Sequence, residues 1–265
     1  MGNVDPRTKR AFTPALLLDV LSQLPRTQRF LVGYSGGCDS TVLVHAMATV
    51  RERLAPIDVL AVHIDHGLHR DSTSWARHCV ATCNTLGMPC VTQRVEVTAV
   101  ARGHTGLEAA AREVRYEALQ ALMNAGDVLL TAHHQDDQAE TLVLQLLRGA
   151  GAAGLAAMPV LRPFGRGLLA RPLLSFSRLA LRDYAARYDL YWIEDPSNLD
   201  LSYDRNYVRH MVMEPLRQRW PRVSAVFERV ARQQAELAAL ADTLAATDIQ
   251  ACRIEGAGEN ALSVV

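Results

Sequence analysis

Lysine is almost missing from this 265-residue chain: Lys9 stands alone, and the other 27 basic residues are arginine. A Walker-type phosphate loop is thereby excluded, because its Gly-Lys-Ser/Thr lysine has no counterpart. Schiff-base chemistry is confined to Lys9, in an N-terminal tail. No apolar run approaches the ~20 residues of a membrane-spanning helix, so a membrane partner is not expected. The five cysteines (Cys38, Cys79, Cys83, Cys90, Cys252) contain no C-x-x-C pair, which disfavours an iron–sulfur or zinc-ribbon reading. His78, Cys79 and Cys83 can share a helix face, but buried core thiols are the better reading. The odd cysteine count and the lack of a secretory signal point to a reducing cytoplasm. Net charge is absent too, with 28 basic against 28 acidic residues. That neutrality is not uniform. Residues 161–232 carry 13 basic and 8 acidic groups, while residues 233–265 carry 1 and 5. The middle stretch is therefore a candidate contact for a polyanionic backbone.

What is present is an alternation of strand and helix. Residues 29–34 read as a buried strand, and 59–64, 91–97 and 128–131 as further strands, with helical segments between them. The expected fold is α/β: a doubly wound, mostly parallel five-stranded sheet with helices on both faces, followed by a small helical segment. Residues 150–175 read as loop, being rich in glycine and proline. Residues 177–188, 204–212 and 223–246 read as helices. The domain division is 1–215 as a catalytic unit, with 155–215 as an extension, and 216–265 as a helical linker.

Strand one runs directly into Ser35-Gly36-Gly37-Cys38-Asp39-Ser40, and a helix follows. Glycines let the backbone approach an anion and take positive φ. The open N–H groups of the next helix then face a phosphate. Ser35 and Ser40 add hydroxyl donors. Asp39 would repel phosphate directly, and fits instead as the holder of a Mg²⁺ ion that bridges phosphates. Three further segments carry chemistry. His63 and Ile64 end the second strand, in the stretch His63-Ile64-Asp65-His66-Gly67-Leu68. Glu108, Arg112 and Arg115 flank an apolar helical stripe. His133, His134, Asp136, Asp137 and Glu140 open another helix; Asp136 could cap it, and Asp137 and Glu140 suit the helix dipole, but so dense a cluster favours a site.

The hexapeptide resembles the PP-loop of the N-type ATP pyrophosphatases, which cleave ATP between the α and β phosphates. The stretches at 63–68, 108–119, 131–158, 171–174 and 192–216 together resemble the tRNA(Ile)-lysidine synthetase family. The segments TAHHQDDQAETLVLQLLRGAGAAGLAAM (131–158) and WIEDPSNLDLSYDRNYVRHMVMEPL (192–216) are the most specific to it. The resemblance implies ATP and Mg²⁺ as cofactors, and tRNA(Ile) with a CAU anticodon and free L-lysine as partners. It also implies ligation of lysine to C2 of cytidine 34 through an adenylated intermediate, with release of AMP and pyrophosphate.

By the same resemblance, residues 35–40 (Cys38 included) with His63 and Ile64 would bind ATP. Arg112 would take the lysine carboxylate, and Asp137 and Glu140 its ammonium groups. Asp137, Glu140 or His134 would accept the amine's proton, alongside Asp39 as metal holder. Arg205, Asn206 and Arg209 would meet the cytidine or its phosphates, with Tyr203 and Tyr207 as candidate stacking partners. The main alternative is another PP-loop tRNA-modifying enzyme, such as a cytidine thiolase. Longer family members carry C-terminal tRNA-binding domains, so the expectation here is a truncated chain. A homodimer stays open.

Overall fold

A computed structural model describes residues 11–67, 69–96 and 107–251. Lys9, Leu68 and Cys252 lie outside these residues, and so does the Glu108 side chain.

The chain enters through α1 (Pro14–Leu21), where Thr13 Oγ1 accepts from Leu16 N at 3.3 Å and Pro14 occupies the first turn. Then follow β1 (Arg29–Gly33), α2 (Cys38–Leu54), β2 (Asp58–Asp65), α3 (Ser72–Thr85), β3 (Cys90–Arg94) and α4 (Leu107–Ala121). The next elements are β4 (Val128–Leu130), α5 (Gln135–Leu147), α6 (Ala152–Leu155), β5 (Leu161–Phe164), β6 (Gly167–Ala170) and α7 (Arg178–Arg187). After a 3-10 turn (Pro196–Leu199), α8 (Asp204–Tyr207) passes through a π-helical turn (Val208–Met213) into α9 (Glu214–Arg219). The long α10 (Val223–Ala251) comes last among the described residues.

Six strands form one sheet in the order β3-β2-β1-β4-β6-β5. All neighbours are parallel except β5, which returns antiparallel on β6. The α/β, mostly parallel expectation holds, and the sheet has six strands rather than five. The difference lies in 150–175, which is not all loop: it contains α6 and the β5–β6 hairpin. Two features hid the hairpin. Pro163 sits inside β5, which an edge strand tolerates. Gly167 opens β6 because a Cβ there would fall 2.1 Å from the Asp127 carbonyl oxygen.

Each face of the sheet has its own core. Phe30, Val32 and Val128 pack with buried residues of α1, α2, α3 and α7. Leu31, Leu129 and Leu169 pack on the other face with Ala118 and Leu119 of α4. Adjacent strand residues thus point to opposite layers, as a doubly wound sheet requires. A third cluster joins α5 to the π turn and α10 through Ala139, Val208, Met213 and Val223.

This order also places the site. From β1 the chain winds one way through β2 and β3, and the other way through β4 and β6. The strand order reverses at β1/β4, and ligands of open α/β sheets bind outside the carboxyl ends at such a point. The residues leaving β1 are 34–37, and those leaving β4 are 131–134.

Candidate active site

The loop after β1 is shaped by its own side chains. Gly36 takes φ +85°, and a Cβ there would lie 3.0 Å from Ile193 Cδ1 and 3.1 Å from Cys79 Sγ. Its carbonyl accepts from Ile193 N at 2.9 Å. Ser40 Oγ lies 2.9 Å from Ser35 Oγ and donates to Gly37 O at 3.0 Å. Thr41 Oγ1 donates to Gly37 O at 2.9 Å. Gly37 is the N-cap of α2 and supplies no side-chain acceptor. The first N–H groups of α2 therefore stay open to an anion, as a phosphate-binding turn needs.

Asp39 stands in the first turn of α2, and its carboxylate has no hydrogen to donate to a phosphate. Its Oδ2 lies 3.3 Å from His134 Nε2. Its Oδ1 is buried with no hydrogen-bond partner in the protein. An orphaned carboxylate oxygen beside a phosphate-binding turn is a fitting first ligand for a hard divalent cation, which takes its other oxygens from phosphate and water.

His134 is the N-cap of α5, not Asp136. Asp137 N donates to His134 Nδ1 at 3.3 Å, and His134 N donates to Asp137 Oδ2 at 3.0 Å. The first of these bonds needs an unprotonated Nδ1. Burial also disfavours charge on the ring, but the Asp137 and Asp39 carboxylates raise its pKa to about 9. Protonation of the ring would therefore exchange the long Asp137 N–H contact for ion pairs with two carboxylates, at 3.3 and 3.5 Å. Asp136 is used elsewhere. It accepts from Arg178 N and from Ser224 Oγ, each at 2.8 Å, and pairs with Arg217 Nη2 at 3.2 Å. One buried carboxylate thus ties α5 to the starts of α7 and α10.

The two remaining acids meet the two arginines of the 204–213 stretch. Arg205 Nη2 lies 2.8 Å from Asp137 Oδ1, and Arg205 Nε 3.1 Å from Glu140 Oε2. Arg209 Nε lies 2.7 Å from Glu140 Oε1 and its Nη2 3.3 Å from Asp137 Oδ1. The spacings explain the fit: acids three apart on α5 face arginines four apart on the helical stretch. Burial pushes the Asp137 carboxyl upward, but His134 and Arg205 hold it far below the usual carboxylate range. The same acids raise both guanidinium pKa values against burial.

A cleft of 890 Å³ opens over these elements. It is lined by Ser35, Gly37, Cys38, Asp39, Ser40, His63, Ile64 and Arg209, among others. Expected ATP-binding residues therefore share one cavity. His63 is buried, and its Nδ1 donates to the Tyr34 carbonyl at 2.9 Å, which fixes the Nε2 lone pair as its free acceptor. Asp65 Oδ1 accepts from Gly67 N at 2.9 Å and shapes the turn after β2. Asp137, Glu140 and Arg205 lie behind the wall, covered by their mutual pairing.

Other expected residues are placed differently. Arg112 is exposed, and its Nη2 donates to Tyr116 Oη at 3.2 Å. Asn206 gives its amide to the carbonyls of Ser197 and Asp200, at 2.8 and 2.9 Å. It holds the 196–199 turn in place. Tyr207 is 51% exposed but lines a separate groove with Leu147. Cys79 and Cys83 are buried core thiols, as expected. Sequence reasoning missed Arg171, which is buried beside the site. Its Nη1 donates to Pro159 O at 2.6 Å and its Nε has no partner. The RPLL stretch was the only signal for it.

Residues 10–216 match the family described as the PP-loop domain. The chain belongs to that family. Within it, the chain is 46% identical to the tRNA(Ile)-lysidine synthase of Coxiella burnetii over 239 residues, covering 90% of this chain and 53% of that protein. The Pseudomonas aeruginosa protein of the same name is 46% identical over 237 residues, 89% of this chain and 53% of its own. That of Methylococcus capsulatus is 48% identical over 218 residues, 82% and 49%. This PP-loop chain spans about half the length of the curated relatives it matches. Among solved structures, a U34-tRNA thiolase from Methanococcus maripaludis superposes with TM-score 0.69 at 16% identity, covering 84% of this chain and 78% of its own. That likeness supports the fold alone. As a PP-loop protein the chain uses ATP. No helix among the described residues is long and apolar enough to cross a membrane.

Proposed function

We propose that this chain carries the catalytic unit of a tRNA(Ile)-lysidine synthetase. Residues 1–215 would be that unit and 216–265 a helical extension, working in the cytoplasm. The observation that carries the reading is the convergence at one sheet switch point. The phosphate-binding turn, the orphaned Asp39 oxygen and the buried His134–Asp137–Glu140 group come together there.

The substrates are ATP, free L-lysine and tRNA(Ile) with a CAU anticodon. Open N–H groups at the start of α2, with Ser35 and Ser40, hold the β and γ phosphates. Asp39 holds Mg²⁺, which when bound neutralises charge on the phosphates. The backbone at 62–64 lies in the cleft wall where it can read adenine. Cytosine O2 attacks the α-phosphorus and pyrophosphate leaves. The lysine side-chain amine then attacks C2 and displaces AMP. That amine has an ordinary pKa of ~10.4 and must lose a proton first. Asp137 and Glu140 are the acids that would receive the ammonium, in exchange for the Arg205 and Arg209 guanidiniums that cover them here, and His134, in contact with Asp39 and Asp137, would carry the proton. Arg112, Arg205 and Arg209 supply positive charge for the lysine carboxylate and for RNA. Unstacked anticodon bases are the usual target of sequence-specific RNA recognition.

The thiolating alternative is less well supported. Cys38 is the one cysteine lining the cleft among the described residues. Burial and the Asp39 charge push its thiol up to about 11, despite Arg182 and Arg178. A thiol so protonated is a poor nucleophile. The test is ATP–pyrophosphate exchange over a panel of tRNAs: exchange that depends on the CAU anticodon supports the reading, and equal exchange with every tRNA overturns it.

A further inference from the structure

The near-absence of lysine leaves a question about the leaving group. Attack on the α-phosphorus forms a new O–P bond and breaks the bond from phosphorus to the bridging oxygen. The electron pair stays on that oxygen, so the departing pyrophosphate gains one negative charge. A positioned cation on that side lowers the barrier. Beside the Mg²⁺ that Asp39 would hold, a side-chain cation for this role is drawn from the arginines, since Lys9 is the only lysine in the sequence.

The cleft is lined by Arg115, Arg178, Arg182, Arg209 and Arg217. Arg209 is held by Glu140 and Asp137, and Arg217 by Asp136 and Glu214. Arg115 comes from α4, on the opposite sheet face from α2 and α7. Arg178 and Arg182 have no ion pair with an acid among the described residues. They stand four apart on α7, one helical turn. Both line the same cleft as Ser35, Gly37, Cys38 and Ser40 of the phosphate-binding turn. Arg178 is also the more firmly based. Ser177 Oγ caps α7 by accepting from Ala180 N at 3.2 Å, and Asp136 Oδ2 accepts from Arg178 N at 2.8 Å. Its backbone is thus locked to α5, while its guanidinium is left for a ligand.

We propose that Arg178, supported by Arg182, is a catalytic residue that donates to the pyrophosphate as it leaves. This rests on the ATP-cleaving reading of the phosphate loop. The Asp136 contact is to backbone, so Arg178→Gln keeps it and the start of α7 should hold. The test is calorimetric binding of inorganic pyrophosphate and of AMP to the full chain, with Mg²⁺ present, for the unaltered protein, R178Q, R178K and R182Q. The expected result is a loss of about tenfold or more in pyrophosphate affinity for R178Q. R178K should recover part of it, R182Q should lose less, and AMP affinity should hold throughout. An R178Q protein that binds pyrophosphate as the unaltered chain does overturns the inference alone. An equal loss for AMP also overturns it, because it marks a disturbed cleft rather than a missing donor. If the unaltered chain binds neither pyrophosphate nor ATP, the reading of the loop falls and the inference with it.

Discussion

Arg209 Nε donates to Glu140 Oε1 at 2.7 Å, across 69 residues of sequence. Glu140 is 1% exposed and Arg209 15%. This pair joins the helix leaving the switch point to the helical stretch that follows the sheet. Together with Arg205 and Asp137 it neutralises two carboxylates that would otherwise be uncompensated beneath the cleft.

Glu140→Gln should therefore be costly. It leaves two guanidiniums sharing Asp137, and breaking a buried pair from one side costs about 3–5 kcal/mol. Urea unfolding should show that loss, and lysine transfer should fall by about a hundredfold or more. Glu140 and Arg209 should also be coupled in a double-mutant cycle, with the double variant milder than the sum of the singles.

Asp39→Asn keeps the shape of the side chain and removes its charge. Pyrophosphate release should fall by about a hundredfold or more, and the remaining rate should lose its dependence on Mg²⁺ concentration. A variant with unchanged turnover contradicts the metal-holding role.

Gly36→Ala tests the phosphate-binding turn. The residue would sit at φ +85° with its Cβ near Ile193 and Cys79. The strain is on the order of 1–3 kcal/mol. Thermal unfolding should move down and ATP should bind more weakly, because the turn and its ligand share one backbone geometry.

His133 gives a pH-dependent signature. Burial and the charges of Arg171, Arg205 and Arg112 hold its pKa down to about 3, against the pull of Asp137. Its ring should stay neutral across pH 5–8, with Thr131 Oγ1 2.9 Å from Nδ1. The unfolded chain binds that proton near pH ~6.5. Below that pH the unfolded state holds more protons than the native one, so His133 lowers stability as pH falls. Imidazole NMR signals should show no titration of His133 in this range.

The parts of the site that were legible in the sequence are local. Residues 35–40 combine glycines, hydroxyls and a helix start within one turn, so the phosphate loop is written in consecutive residues. The centre of the parallel sheet was legible for the same reason, since β1, β2 and β4 are contiguous, largely apolar runs. What stayed hidden depends on partners far along the chain. Asp136 looked like a helix cap, but its acceptors are filled by Arg178 and Ser224, 42 and 88 residues away. Asn206 looked like an RNA contact until its amide met two carbonyls. The acids and arginines of the buried cluster were each singled out, yet nothing in their separate segments said that they bind one another. The β5–β6 hairpin was lost because two four-residue strands containing a proline and bordered by glycines carry no period of their own.

The central claim is that lysine ends up on cytidine 34. The direct measurement is mass analysis of nucleosides from tRNA(Ile) with a CAU anticodon, after incubation with this chain, ATP, Mg²⁺ and isotopically labelled lysine. The account predicts a labelled nucleoside heavier than cytidine by lysine less water, and none from a tRNA with another anticodon. Release of AMP and pyrophosphate with cytidine 34 recovered unmodified would contradict it.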